Sequence, residues 1–341
     1  MQDWTHLVDG ANDGYPSPIS TGDLPPHAQV RELVEAAYQL YKDNTDGVNA
    51  NHYPALANVP AELFGVALVS AAGTVFEIGD TRYPFTIMSV AKPFIFALVC
   101  QTLGAGRVRE LVGMNSTGMA FNSVVALELH PQHLSNPMVN AGAIATTSLM
   151  LGETAEAKWA SIHNGLSRFA GRTLSVNEEV YASASASNHR NHALVRLLQG
   201  YGRVSFDPLA TLDLYTRQSS LEVTTHDLAV MAATLADGGV NPITGERVVE
   251  AHCCQPVLAA MATAGMYETS GDWLFDVGLP GKSGVGGGII TVAPGKGGLA
   301  TFAPPLDQAG NSVKGQLVTR FLAARLGLNV FASQPTTAAA G

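Results

Sequence analysis

Ser89 and Lys92 stand three residues apart at the head of an apolar run, Pro93-Phe-Ile-Phe-Ala-Leu-Val99. On a helix that spacing puts both side chains on one face. A serine hydroxyl is a weak nucleophile until a neighbouring base takes its proton. Lys92 can be that base only as a neutral amine, and apolar surroundings and a second cation both push a lysine that way. Lys282, which opens Lys282-Ser-Gly-Val-Gly-Gly-Gly-Ile289, is the candidate second cation. Gly284, Gly286, Gly287 and Gly288 around Val285 allow close approach of backbone to a ligand, although a tight turn or bulge would use the same glycines. Together these residues describe acyl transfer through an ester on Ser89, with backbone N–H groups facing the oxyanion.

The elements that must position them are legible in the same way. Pro93 is tolerated only in a first helical turn, so a helix starts close to Ser89 and puts its hydroxyl at the positive end of the helix dipole. Val30, Leu33, Ala37 and Leu40 share one face of a helix predicted over 27–42. The runs Phe64–Ser70 and Thr74–Ile78 around Ala71-Ala72-Gly73 predict a β-hairpin. Patterns from about 89 to 264 are mainly helical, including 141–151, 193–198 and 226–235. Strand character returns at Gly288–Val292 and Leu299–Phe302 around a turn at Pro294–Gly298, before a last helix over 313–326. Gly10–Pro26 reads as an irregular leader and 333–341 as a fraying tail.

The expected fold class is therefore α/β: one antiparallel sheet built from both chain ends, with flanking helices and a mainly helical subdomain. We expect a single catalytic domain over 1–330, with an α/β part at about 27–100 plus 268–330, a helical part at about 101–267, and a flexible tail at 331–341. The site falls between the two parts, where pockets are common.

Composition narrows the function. The 341 residues are 46% hydrophobic and 14% charged, which suits a well-buried globule, and the net charge of −9 argues against nucleic-acid or anionic-membrane partners. Cys100, Cys253 and Cys254 form neither a disulfide framework nor a spaced metal quartet, and read as buried thiols in a reducing compartment. Met1–Ser20 has no apolar signal region and no run reaches membrane-spanning length, so a cytoplasmic protein is expected. His130-Pro-Gln-His133 has a spacing a metal could use, but Pro131 interrupts a helix and no third ligand is near in sequence. No cofactor and no metal are expected. The triple glycine at 286–288 lacks the strand-then-helix setting of a nucleotide loop.

Ser-x-x-Lys paired with Lys-Ser/Thr-Gly is the motif set of penicillin-binding and serine β-lactamase-type sites. More specifically, the chain resembles the serine-dependent glutaminase family, which has a β-lactamase-like fold, from about Asp46 to Gly327. The stretches carrying the likeness are Ser89–Lys92, Gly118–Asn122, Asn136–Ile144, Arg190-Asn191, Leu212–Tyr215 with Ser219, Thr225–Ala229, Gly265–Tyr267, Lys282–Gly288 and Gly310–Gly315. The resemblance implies Ser89 as nucleophile and Lys92 as its proton acceptor. It implies Tyr215 as an active-site tyrosine facing the leaving amine, and the N–H groups of Ser89 and Val285 as the oxyanion hole. It implies Asn140, Asn191 and Tyr267 as holders of the amino-acid end of the substrate. On residue type alone Tyr215 serves equally as a core tyrosine, and Asn140 and Asn191 as cap or turn residues.

One position departs from the family pattern. The resemblance implies a glutamate seven residues before the asparagine matched by Asn191, where it recognises the substrate's α-ammonium; here that position is Ala184. Glu178, Glu179 or Glu268 could supply a displaced acid, the substrate could be a dicarboxylic acid monoamide without an α-ammonium, or the alanine could have been introduced. The expected activity is hydrolysis of the side-chain amide of L-glutamine to L-glutamate and ammonia, on a small-molecule substrate in a homo-oligomer. A catalytically silent small-molecule-binding protein on the same fold is the rival from another class. Retention of Ser89, Lys92, Tyr215 and Lys282 together argues against it.

Overall fold

The apolar runs from the two chain ends meet in one sheet. The computed structural model describes residues 23–51 and 53–333. The predicted leader up to residue 22 and the predicted tail beyond Ser333 lie outside them. The strands are β1 Gly65–Ser70, β2 Val75–Gly79, β3 Phe85–Thr86, β4 Glu222–Val223, β5 Gly281–Ser283, β6 Gly288–Ala293 and β7 Gly297–Phe302. Five of them form an antiparallel sheet in the order β2-β1-β7-β6-β5, and β3 pairs with β4 in a separate two-stranded ribbon. The first β-hairpin closes with Ser70 N donating to Thr74 O at 2.9 Å, and Gly73 takes a φ of +83° that its lack of Cβ permits.

Alternation along the strands sorts residues to two buried faces. Val66, Leu68, Ile289 and Leu299 face Val30 and Val34 of the His27–Tyr41 helix and Val318 and Leu322 of the Val313–Arg325 helix. Ala67, Val69, Ile290, Val292 and Ala300 face the other way, into a core shared with Phe94, Leu228 and Met231. Every residue of β1, β6 and β7 is buried, which is why these strands read as apolar runs without polar alternation.

The Thr225–Ala236 helix falls within the part expected to be helical, yet it packs directly on β7, β1 and β6. Its small residues explain the close approach: a Cβ on Gly298 would lie 2.2 Å from Ala233 N and 2.5 Å from Ala232 C. A capping box between Thr224 and Asp227 starts this helix, and Arg172 holds the buried Asp227 carboxylate through two hydrogen bonds of 2.9 and 2.6 Å. The helices Val124–Leu129, Asn140–Ser148, His189–Gly200 and Pro208–Ser219 pack around a smaller core of Leu127, Ile144, Leu194, Leu198 and Leu212. Among the described residues no single helix is long and apolar enough to cross a membrane. The apolar pair Met88–Leu103 and Ala105–Val112 bends by 117°, and Phe94, Ile95 and Phe96 on it are buried.

Candidate active site

Ser89 is placed by three elements that converge from distant parts of the chain. The β3–β4 ribbon pairs Phe85 with Val223 and Thr86 with Glu222, and Ile87 N donates to Leu221 O at 2.9 Å just before the serine. The chain then makes a 3-10 turn, Met88–Val90, and only afterwards the α-helix Ala91–Leu103. The helix start expected near Ser89 is thus a tighter turn that leads into the α-helix, with Pro93 in the first α-helical turn. N–H groups in such a first turn have no helical acceptor and face whatever lies beyond the helix end.

The glycine-rich segment supplies the opposing wall. Gly284 follows β5, and a Cβ there would lie 3.0 Å from Val90 Cγ2, 3.1 Å from Ile87 O and 3.4 Å from Ser89 N. Glycine therefore lets this segment lie against the Ser89 turn. Val285 sits one residue further on, in the turn between β5 and β6. Its N–H has no acceptor among the described residues. Backbone strain marks the same place. Met88, His133 and Tyr267 are the non-glycine described residues with positive φ, and two of these three, Met88 at +48° and Tyr267 at +53°, belong to the site. Each costs roughly 1–2 kcal/mol that the surrounding structure must sustain.

Ser89, Asn140, Ala184, Asn191, Tyr215 and Val285 line one cavity of about 50 Å³. Lys92 lies behind its wall, 2% exposed, with Nζ donating to Asn140 Oδ1 at 2.8 Å. Tyr215 donates to the same oxygen at 3.2 Å, which fixes the Asn140 amide with its oxygen toward both donors. Asn140 Nδ2 donates to Asn191 Oδ1 at 3.0 Å, Asn191 Nδ2 to Asn188 Oδ1 at 2.6 Å, and Asn188 Nδ2 to Thr216 Oγ1 at 2.9 Å. Thr216 ends the series by donating to Leu212 O at 2.8 Å. All five bonds run in one direction, away from the amine of Lys92.

Both lysines are deeply buried. Burial alone pushes the Lys92 amine down from 10.5 to about 7. Lys282 is 0% exposed and is pushed further down, by burial first and by the charge of Lys92 second. Burial favours the neutral form of both amines. Its Nζ donates to Gly265 O at 3.0 Å and Ser283 O at 2.6 Å, and lies 4.6 Å from the Tyr267 ring centroid. Lys282 thus ties β5 to the segment that carries Tyr267, beneath the cavity.

Tyr267 does not line the cavity but packs on Phe121, which does, with ring centroids 4.7 Å apart. Burial holds its hydroxyl well above the usual tyrosine range, eased by the nearby Ser89 side chain. No hydrogen bond closes on that hydroxyl, so the two groups stand within electrostatic reach of each other and unpaired. Tyr215 is likewise held protonated by burial.

The remaining sequence candidates lie elsewhere. His130 Nδ1 accepts from Gln132 N and Leu134 N, and the His133 ring bonds Leu127 O and stacks on Tyr201. His130 borders a wider cleft of about 400 Å³ with Arg109 and Met114, away from Ser89. The three cysteines are buried and unpaired. Sequence reading passed over Asn188, Thr216 and Phe121. Asn188 had a signal, its i, i+3 spacing to Asn191, and Phe121 lies inside the matched stretch Gly118–Asn122, whereas Thr216 had none apart from its matched neighbour Tyr215.

Comparison with known proteins identifies the family. A family model described as glutaminase matches residues 47–331. The chain is 58% identical to "Glutaminase 2" of Yersinia pestis over 330 residues, 97% of each chain, and 50% identical to a glutaminase of Brucella canis over 85% of this chain and 92% of that one. Among solved structures it is similar to the probable glutaminase ybaS, with 44% identity, a TM-score of 0.89, and 91% and 100% of the two chains covered. It is also similar to a probable glutaminase from Bacillus subtilis complexed with 6-diazo-5-oxo-L-norleucine, with 30% identity, a TM-score of 0.79, and 90% and 97% covered.

Proposed function

Because this chain belongs to the glutaminase family and has a β-lactamase-like fold, we propose that it cleaves its substrate amide through an acyl ester on Ser89, with Lys92 as the base. The protein is a glutaminase: the side-chain amide of L-glutamine is hydrolysed to L-glutamate and ammonia. The observation that carries the mechanistic reading is the shared cavity of Ser89 and Val285, with a buried amine behind it at about 7.

In this reading the neutral Lys92 takes the Ser89 proton as Oγ attacks the amide carbon. The tetrahedral oxyanion falls between the N–H groups of Ser89 and Val285, fixed dipoles that need no reorganisation. Collapse breaks the C–N bond, and the proton held by Lys92 leaves with the nitrogen as ammonia. Tyr267, kept protonated by burial, has an unpaired hydroxyl to donate toward the departing group, while Tyr215 keeps its proton on Asn140 Oδ1. Water then attacks the ester, again with Lys92 as base, and releases the carboxylate. Lys282 acts through position by holding β5 and so Val285 in place, and Asn140 and Asn191 orient Lys92 and the substrate's polar end. No step calls on a metal or a cofactor.

The three buried free thiols support a reducing compartment, and we place the enzyme in the cytoplasm. Assembly into a homo-oligomer is proposed on the family resemblance alone.

The compound bound by the Bacillus subtilis neighbour supplies the test. A diazoketone loses dinitrogen to a nucleophilic oxygen and leaves an ether. After incubation with 6-diazo-5-oxo-L-norleucine, peptide mass spectrometry should place one adduct on Ser89, with none in Ser89→Ala. An adduct on another residue, with Ser89→Ala still releasing ammonia from glutamine, would reassign the nucleophile.

A further inference from the structure

The cavity wall carries no charge. Of the residues that line it, Ser89, Ser219 and Ser220 offer hydroxyls, Asn140, Asn188 and Asn191 offer amides, and the others are aromatic, apolar or Thr216. Ala184, 4% exposed, closes one side with a methyl group. A glutamine molecule brings both an α-ammonium and an α-carboxylate into this space, and a desolvated ammonium calls for an anion.

The carboxylates near the site are exposed or already accept hydrogen bonds. Glu178 and Glu179 start the same helix as Ala184 but are exposed, roughly 8 Å back along its axis at 1.5 Å per residue. Glu268 is exposed and accepts from Phe121 N at 3.1 Å. Asp307 takes three backbone N–H groups and the Gln316 amide. Asp213 accepts from Tyr181 at 2.5 Å.

What the wall leaves over is neutral: amide N–H groups, and oxygen lone pairs on Ser219 and Ser220, whose hydroxyls already donate to Tyr215 O and Thr216 O. In the amide series each asparagine oxygen already accepts, Asn140 Oδ1 from two groups, whereas each Nδ2 spends one hydrogen and keeps another. The spare amide N–H groups can receive a carboxylate, whereas the neutral oxygens give an ammonium dipoles and no counter-charge.

We propose that the site reads its substrate as a primary amide with a distal carboxylate and has no requirement for an α-ammonium. Monoamides of short dicarboxylic acids are then substrates alongside glutamine. The inference rests on the acyl-ester reading above, and the reaction balances in the same way. The Ser89 oxygen bonds the amide carbon, the C–N bond breaks, ammonia leaves with the hydroxyl proton, and water releases the second carboxylate.

The test is ammonia release from L-glutamine and from glutaric acid monoamide, as kcat/KM, in the wild type, Ala184→Glu, Ala184→Gln and Glu268→Gln. In the wild type the two values should agree within about tenfold. Ala184→Glu should move the ratio toward glutamine by about 30-fold or more, while the uncharged Ala184→Gln changes both substrates together and leaves the ratio in place. Glu268→Gln should also leave the ratio unchanged. A wild-type preference for glutamine above about 100-fold overturns the proposal whatever the variants do, and loss of that preference in Glu268→Gln would name the reader of the ammonium. Failure of the wild type on both amides would instead sink the acyl-ester reading itself.

Discussion

The five-stranded sheet and the wall behind Ser89 are both buried, yet opposite means hold them. In the sheet, Leu68 is 2% exposed and lies across from Phe76 and Leu299, so its stability is a sum of many weak contacts. Behind Ser89, Lys92, Asn140 and Asn191 are also buried, and each polar atom depends on one particular neighbour. A lost methylene in the sheet is a graded loss. A lost amide in the wall strands a polar group, which costs the full desolvation of that group. The sheet tolerates change in its details, whereas the wall depends on the order of its donors and acceptors.

Lys92→Met should separate the two regions most sharply. Activity should fall by about 10³-fold or more, since the base is gone. Stability should not fall with it. The folded-state value of about 7 lies below the ordinary 10.5, so unfolding takes up a proton throughout that window. Across it the wild type gains stability as pH rises, and the penalty at neutral pH is about 4 kcal/mol before the Asn140 hydrogen bond offsets part of it. Urea midpoints at pH 7 and pH 9.5 should therefore converge between the variant and the wild type less at the lower pH than at the higher. The same group sets the rate: wild-type kcat/KM should rise as pH climbs through about 7, and a flat profile between pH 6 and 8 would remove Lys92 as the base.

Leu68→Ala is the counterpart in the sheet. It should cost about 2–5 kcal/mol of unfolding free energy through lost burial and the cavity left behind. Turnover per folded molecule should hold, measured by active-site titration. Asn140→Ala should show both effects at smaller size: about 1–3 kcal/mol, because Asn191 Oδ1 and the Lys92 amine lose their partner, and roughly tenfold to 100-fold in kcat. Should the kcat of Leu68→Ala drop as far as that of Asn140→Ala, the two regions would not be independent.

The contrast also explains what could be read from the chain. The hairpin at Gly65–Gly79, the strands β6 and β7, and the terminal helices follow from apolar runs and turn residues, because burial on both faces imposes a pattern. Ser89, Lys92 and the glycines around Val285 were legible because nucleophile, base and close backbone approach each demand a residue type. Thr216 was not, since its partner Asn188 lies far off in sequence, and the spacing of Asn188 to Asn191 left open which way the amide points.

Thr216→Val is the finest probe of the wall. The swap keeps the shape and removes the hydroxyl that accepts from Asn188 and donates to Leu212 O. Leaving the Asn188 N–H unpaired should cost about 1–2 kcal/mol. The site lies four hydrogen bonds from Lys92, through Asn188, Asn191 and Asn140. If the amides act only as a scaffold, kcat should change by less than about threefold, with the pH limb near 7 unmoved. A limb displaced by about half a unit or more would mean that the aligned donors transmit polarisation along the series to the amine. The far end of the wall would then belong to the base itself, and the independence that separates each contact in the sheet would have no counterpart behind Ser89.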